Sequence, residues 1–260
     1  MYANYHTHTK RCGHAKGEDR EYVEAAIEAG IKILGFSDHC PWVYPDDFVS
    51  SIRMEAGMTD DYFNSLEKLK NEYAGDIEIL IGFEAEYVPS LIEAQERLLD
   101  DYPLDYLILG QHFLGTEKGS AYTGSPTTDA RFLSDYVDTV IAGMETGKYL
   151  YLAHPDLINF IGDDSVYKKH MTRLCRYLKG KNLPAELNML GAYQGRNYPC
   201  DKFLRIMQEV GNTCIVGIDA HDPAHLTNRE GYEMCRKLIE KYHLNMIEKM
   251  DIHAQAAKSD

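Results

Sequence analysis

Short apolar runs alternate with longer stretches of helical period along this chain. YANYH is followed by EYVEAAIEAG, IKILGFSD by YFNSLEKLKNEYA, and IEILIGFEAEY comes next. DYLILGQH precedes ARFLSDYVDTVIAGMETG, YLYLAHP precedes VYKKHMTRLCRYLKGK, and PAELNML and CIVGIDAH complete the series. Apolar residues recurring three and four positions apart give a helix one buried face, whereas continuous apolar, β-branched runs suit strands covered on both faces. The pattern therefore predicts seven strands alternating with helices, an α/β chain built on a parallel sheet. Capping residues fit this register: Thr59 and Thr128 precede Asp-rich turns, and Gly30, Gly147 and Gly180 follow helical stretches.

No low-complexity tract, internal repeat or Pro/Gly-rich linker divides the 260 residues, so a single domain over 1–260 is expected, with a frayed tail from about His253 to Asp260. That length suits one α/β barrel. Composition narrows the function. A formal net charge of -14 argues against a polyanion-binding surface, because nucleic-acid affinity rests on Lys and Arg neutralising phosphates. No apolar stretch approaches a membrane span, and the polar start MYANYHTHTK lacks a secretory core, so a cytoplasmic protein acting on a small molecule is expected. The six cysteines form no CxxC pair and read as reduced thiols. Cys12 and Cys40 stand beside histidines, where soft metal ligation competes with the reading as buried inert thiols.

The chemistry sits where strands end. His6 and His8 follow the first strand, His39 the second, Glu84 the third, His112 the fourth, His154 the fifth, and Asp219 and His221 the seventh. In a parallel barrel all strand C-termini meet on one face, so these scattered residues converge on one site. A lone histidine there would be an ordinary hydrogen-bonded side chain, but gathered imidazoles and carboxylates are what a metal cluster needs. His6 and His8 alternate and so point the same way along a strand, and Glu84 has two oxygens with which to bridge ions. The remaining histidines, His170, His225, His243 and His253, fall on helices, helix starts or the tail and read as structural.

The ordered set HTH, CGHAKG with His14, LGFSDHCP, GFEAEY, LGQHF, LAHPD and GIDAH resembles the PHP (polymerase and histidinol phosphatase) family, in particular its free-standing histidinol-phosphatase branch. The resemblance covers residues 1 to about 225. It implies a distorted (β/α)7 barrel of the TIM-like type holding three divalent ions, with zinc, iron and manganese as the candidate metals. Carried over, His6, His8, Glu84 and Asp219 would hold one ion, Glu84, His112 and His154 a second, and His14, His39 and His221 a third.

Three ions, two carboxylates, a bridging hydroxide and a phosphate dianion leave a small positive excess suited to charge developing during phosphoryl transfer. The expected activity is metal-dependent hydrolysis of L-histidinol phosphate, with Glu84 and Asp219 holding the hydroxide nucleophile. Arg53 and Arg196, on loops at the active face, are the candidate phosphate clamps; Lys16 and Asn188 are further substrate contacts. Asp156, Asp222 and Glu86 are candidates for the leaving group's amine and imidazole. No general acid is identifiable. The rival readings are a PHP enzyme acting on another small phosphoester, such as a nucleotide or sugar phosphate, and a non-catalytic metal-binding module.

Overall fold

Every predicted apolar run forms a strand in the computed structural model, which describes residues 1–252. The elements run β1 (Ala3–Asn4), α1 (Asp19–Glu28), β2 (Ile33–His39), α2 (Thr59–Glu72), β3 (Glu78–Ala85), α3 (Ile92–Leu99), β4 (Tyr106–Leu109) and α4 (Ala130–Glu145). They continue β5 (Tyr149–Leu152), α5 (Asp164–Gly180), β6 (Ala185–Asn188), α6 (Met189–Gln194), α7 (Asp201–Val210), β7 (Thr213–Gly217), α8 (Pro223–Leu226), α9 (Arg229–Tyr242) and β8 (Asn245–Met246). All strand pairings are parallel and follow chain order, β1 through β8. The tail and His253 lie outside the described residues.

The eighth strand departs from the seven expected. At the bottom of the sheet β8 pairs with β7, while at the top the chain after β1 bonds directly to the chain after β7. There His8 N–H donates to the Ala220 carbonyl at 2.8 Å and Ala220 N–H to the His6 carbonyl at 3.1 Å. Seven strands thus close the barrel at its C-terminal rim, and β8 lies beside β7 at the other end. That is the distortion: closure is secured where His6, His8 and Asp219 must meet.

Two cores support this rim. Inside the barrel, Tyr5, Leu80, Tyr106, Ile108, Tyr151 and Ile215 pack together, with Ile247, Met250 and Ile252 packed against them. Outside, the strands meet the apolar faces of α2, α4, α5 and α7 through residues such as Leu66, Val140, Leu174 and Phe203. The predicted caps shift slightly. Asp129, not Thr128, caps α4 by accepting from Arg131 N–H, and Thr59 is the first residue of α2 rather than its cap. Among the described residues no helix is long and apolar enough to cross a membrane.

Candidate metal centre

All eight residues expected at strand ends, together with His14, converge on the C-terminal rim. Glu84, 1% exposed, lies at the centre. Its Oε1 is 2.7 Å from His154 Nε2 and 3.4 Å from His112 Nε2, while its Oε2 is 3.2 Å from His39 Nδ1, 3.5 Å from His6 Nε2 and 3.6 Å from His8 Nε2. Asp219 closes the other side, its Oδ1 3.1 Å from His8 Nε2, 3.3 Å from His221 Nδ1 and 3.5 Å from His6 Nε2. His221 Nε2 lies 3.0 Å from His14 Nε2, and His14, His39 and His221 form a separate group of donors. His154 and Asp219 reach inward from backbone with φ of 26° and 57°, a left-handed conformation uncommon outside glycine.

The strands make room for the acids by omitting side chains. A Cβ on Gly110 would lie 1.9 Å from Glu84 Oε1, and one on Gly217 would lie 1.8 Å from Glu186 Oε1. Neither position admits alanine without moving a central carboxylate.

Around the donors stands a set of buried partners that fix ring orientation. Glu186, on β6, takes His6 Nδ1 at 2.8 Å, His154 N–H at 3.0 Å and an Asn188 amide hydrogen at 2.9 Å. Asp38 lies 3.4 Å from His8 Nδ1 and accepts from Thr9 Oγ1. Glu86 lies 3.1 Å from His112 Nδ1, the Cys12 carbonyl 3.1 Å from His14 Nδ1, and the Asp219 carbonyl 3.0 Å from His221 Nδ1. In His6, His14, His112 and His221 one nitrogen is held from behind and the other faces the centre, the arrangement that sets tautomer and basicity in metal-binding histidines.

The donor set fits divalent metal. His6 Nε2, both ring nitrogens of His8, His39 Nδ1, His154 Nδ1 and Glu84 Oε2 are buried without a hydrogen-bond partner among the described residues. Each such orphan costs roughly 1–3 kcal/mol unless something satisfies it, and nitrogen and carboxylate donors gathered this way suit zinc, iron or manganese. Electrostatics agree. Burial alone would push the His6 imidazole down, but Glu186, Asp219 and Glu84 outweigh it and hold its pKa well above the ordinary value. His8 is likewise raised against its burial, by the Asp219 and Asp38 carboxylates beside it. Glu84 and Asp219 are held well below the usual carboxylate range despite burial, by His112, His6 and His154 for the first and His6 and His221 for the second.

One consequence is measurable. With raised pKa values, His6 and His8 hold their protons to higher pH in the metal-free protein than free imidazoles do, and an ion must displace them. Metal affinity is therefore expected to climb as pH rises, with protons released on binding. Titration calorimetry in buffers of different ionisation enthalpy reads this directly: a buffer-dependent heat is expected, and a buffer-independent one contradicts it.

Several expected substrate contacts have other roles. Arg53 is 4% exposed and forks onto Glu86 at 2.9 and 3.0 Å, with its Nε on Glu117 at 3.0 Å. Its guanidinium is committed to two carboxylates, so it supports the Glu86–His112 pair instead of clamping phosphate. Asn188 is 1% exposed and holds Asp219 Oδ2 at 3.1 Å as well as capping α6, so it orients an acid instead of meeting substrate. Lys16 is exposed and does not line the cavity; its backbone N–H binds the His221 carbonyl at 2.9 Å. Glu86 is sequestered by Arg53, Asp156 accepts from Cys200 N–H at 2.6 Å, and Asp222 caps α8.

Arg196 alone of the four expected contacts lines the cavity, with its guanidinium donating to Tyr198 Oη at 2.8 Å. The cavity holds about 530 Å³ and has Ile52, Phe113, Tyr122, Leu190, Gln194 and His225 among its walls. His225 was expected to be structural, and its place here carries no signal beyond standing four residues after His221. Cys12 Sγ lies 3.9 Å from His14 Nε2, whereas Cys40 is buried away from the donors against the Gln95 amide.

A family model described as PHP domain matches residues 4–190, which span β1 through β6 and seven of the nine donors. The chain belongs to the PHP domain family. Its PHP relatives include a probable histidinol-phosphatase of Deinococcus radiodurans, 29% identical over 230 residues, covering 85% of this chain and 86% of that protein. A probable histidinol-phosphatase of Schizosaccharomyces pombe is 26% identical over 264 residues, covering 91% and 85% of the two chains. Among solved structures, a histidinol phosphate phosphatase from Lactococcus lactis, complexed with zinc, L-histidinol and phosphate, superposes with a TM-score of 0.69 at 18% identity, covering 96% of this chain and 98% of that one. That likeness establishes the PHP barrel fold.

Proposed function

We propose that this PHP protein is a metal-dependent phosphomonoesterase that hydrolyses L-histidinol phosphate to L-histidinol and phosphate. The observation that carries the reading is the buried, unpaired donor cluster opening into a cavity with one arginine on its wall. Relatives named histidinol-phosphatase over most of this chain's length support it. On this reading the donors would serve three ions: His6, His8, Asp219 and Glu84 Oε2 one, Glu84 Oε1, His112 and His154 a second, and His14, His39 and His221 a third. Divalent ions held there would supply, at neutral pH, a nucleophile from water and positive charge for the phosphoryl oxygens.

The chain's own residues do the rest. Glu84 and Asp219 stay ionised because the surrounding imidazoles hold their pKa values down, so both remain acceptors throughout the working pH range. Glu186, Asp38 and Glu86 keep His6, His8 and His112 from rotating off their donors. Arg196, at the mouth, offers a guanidinium fork to the phosphoryl group. Phe113, Tyr122 and Tyr198 supply aromatic rings, and Gln194 an amide, along the cavity wall for the imidazole and ammonium of the leaving group. Asp156, Glu86 and Asp222 are engaged elsewhere, so the aromatic rings are the available partners for that ammonium.

Arg196→Ala is expected to lose about 10- to 100-fold in kcat/KM on every phosphomonoester, the equivalent of a lost charged hydrogen bond of about 1.5–3 kcal/mol. Its metal content stays that of wild type, because Arg196 touches no donor. The reading itself is tested by phosphate release from L-histidinol phosphate beside a panel of nucleotide and sugar monophosphates and a diester. Preference for L-histidinol phosphate supports it; equal turnover across the panel, or preference for the diester, argues for another phosphoester.

A further inference from the structure

A phosphomonoester with an alkyl leaving group needs help at the departing oxygen, and no acid lining the cavity is free to give it. Glu84 and Asp219 are ionised acceptors, and Asp156 and Glu86 face away into their own partners. His225 is different. It lines the same cavity, and its Nδ1 accepts the His221 backbone N–H at 3.2 Å. A ring nitrogen that accepts a hydrogen bond carries no proton, so the neutral imidazole must hold its hydrogen on Nε2. That nitrogen has no partner among the described residues. The α8 turn fixes the ring: Pro223 starts it, Asp222 caps it through Ala224 N–H at 3.0 Å, and the Nδ1 bond ties His225 back to the rim.

Position decides which substrate atom it serves. The donors that gather around Glu84 form the cavity floor, and Arg196 and Tyr122 stand exposed at its mouth. Displacement at phosphorus is in line, so an oxygen arriving from the floor drives the departing oxygen toward the mouth. His225 is half-buried, between the two levels. We propose that His225 is a catalytic residue whose fixed Nε2–H hydrogen-bonds the departing ester oxygen and stabilises the negative charge that develops there.

The proposal rests on the phosphomonoesterase reading. In the step, a water oxygen forms a bond to phosphorus and gives up a proton to solvent as the phosphorus–oxygen ester bond breaks. The departing oxygen takes the bonding pair and receives its proton from solvent water, while the imidazole hydrogen remains on Nε2. Preorganised donation of this kind spares reorganisation when charge appears, and losing one such donor costs about 10²- to 10³-fold.

His225→Asn is the discriminating variant, because the Asn carbonyl oxygen can replace Nδ1 as acceptor for His221 N–H while nothing replaces Nε2–H. His225→Gln, which can return an N–H to the Nε2 position, is its companion. Both are compared with wild type, at matched metal content, on L-histidinol phosphate, other alkyl phosphates and p-nitrophenyl phosphate. H225N is expected to fall on the order of 10²-fold on alkyl phosphates but only a few-fold on p-nitrophenyl phosphate, whose leaving group needs no such help. H225Q is expected to recover part of the alkyl activity. An equal loss on both leaving-group classes, or no loss on either, overturns the assignment. The two levels of the account fail separately: wild type inactive on every monoester sinks the phosphatase reading, whereas an active wild type with a uniform H225N loss sinks the role of His225 alone.

Discussion

Glu84→Gln is expected to abolish turnover, with a loss of at least about 10³-fold, and to lower the number of metal ions retained per chain. Both Glu84 oxygens face imidazole nitrogens on opposite sides, His154 and His112 at Oε1 and His39, His6 and His8 at Oε2. A glutamine amide keeps the shape but presents one acceptor and an NH₂, so it cannot serve both sides or balance cationic charge. Stability gives an independent readout. Ions that bind only the folded chain stabilise it by about 2.7 kcal/mol at a hundredfold excess over Kd. Adding metal to the stripped wild type is expected to raise Tm, and adding it to stripped E84Q to raise it much less. Equal metal content and equal turnover in the two proteins would remove Glu84 from the centre of the site.

Arg53→Met is expected to destabilise the fold by about 3–5 kcal/mol, because it leaves the Glu86 carboxylate buried without its bidentate partner. The Glu86 pKa is pushed up by burial but brought down to about 2 by Arg53 and His112, so the acid is ionised wherever the protein works. Methionine fills much of the volume and removes the charge. The double change Arg53→Met, Glu86→Gln is expected to recover part of the loss, since no unpaired ion remains. Through Glu86 the effect reaches His112, and second-sphere losses of this sort cost about 10- to 100-fold in metal affinity. A denaturant titration showing R53M as stable as wild type would mean that the pair contributes nothing. A normal fold combined with a loss confined to KM would return Arg53 to the role of phosphate clamp.

The donors were legible because each stands at the end of an apolar run, and a parallel barrel brings such ends together whatever their separation in sequence. His6 and Asp219 are 213 residues apart by numbering and 3.5 Å apart in space. Their partners were not legible in the same way. Glu186 is a single acid inside PAELNML, where it reads as an interruption of a strand; only its sharing of a face with Asn188, two residues on, hinted that it points inward. Arg53 and Arg196 both read as loop arginines on the active face. What separates them is that Glu86 and Glu117 surround one and an open cavity faces the other, a difference made by tertiary contacts alone.

Short elements were missed for a related reason. α8 has four residues and β8 two, too few to show a period, yet the first carries His225 into the cavity and the second marks where the barrel stops being a closed ring. The longer helices α3, α7 and α9 lie outside the alternating series of runs. Spacing defined the framework, and loops and side-chain pairing defined which charged residue does what.

The most direct test is phosphate release from L-histidinol phosphate by protein of measured metal content, assayed as isolated, after exhaustive chelation, and after divalent metal is restored. The account predicts turnover that disappears with the metal and returns with it, in proportion to occupancy of the nine-residue cluster. Turnover that survives complete removal of metal, or a fully metal-loaded chain that releases no phosphate from any monoester, would contradict it.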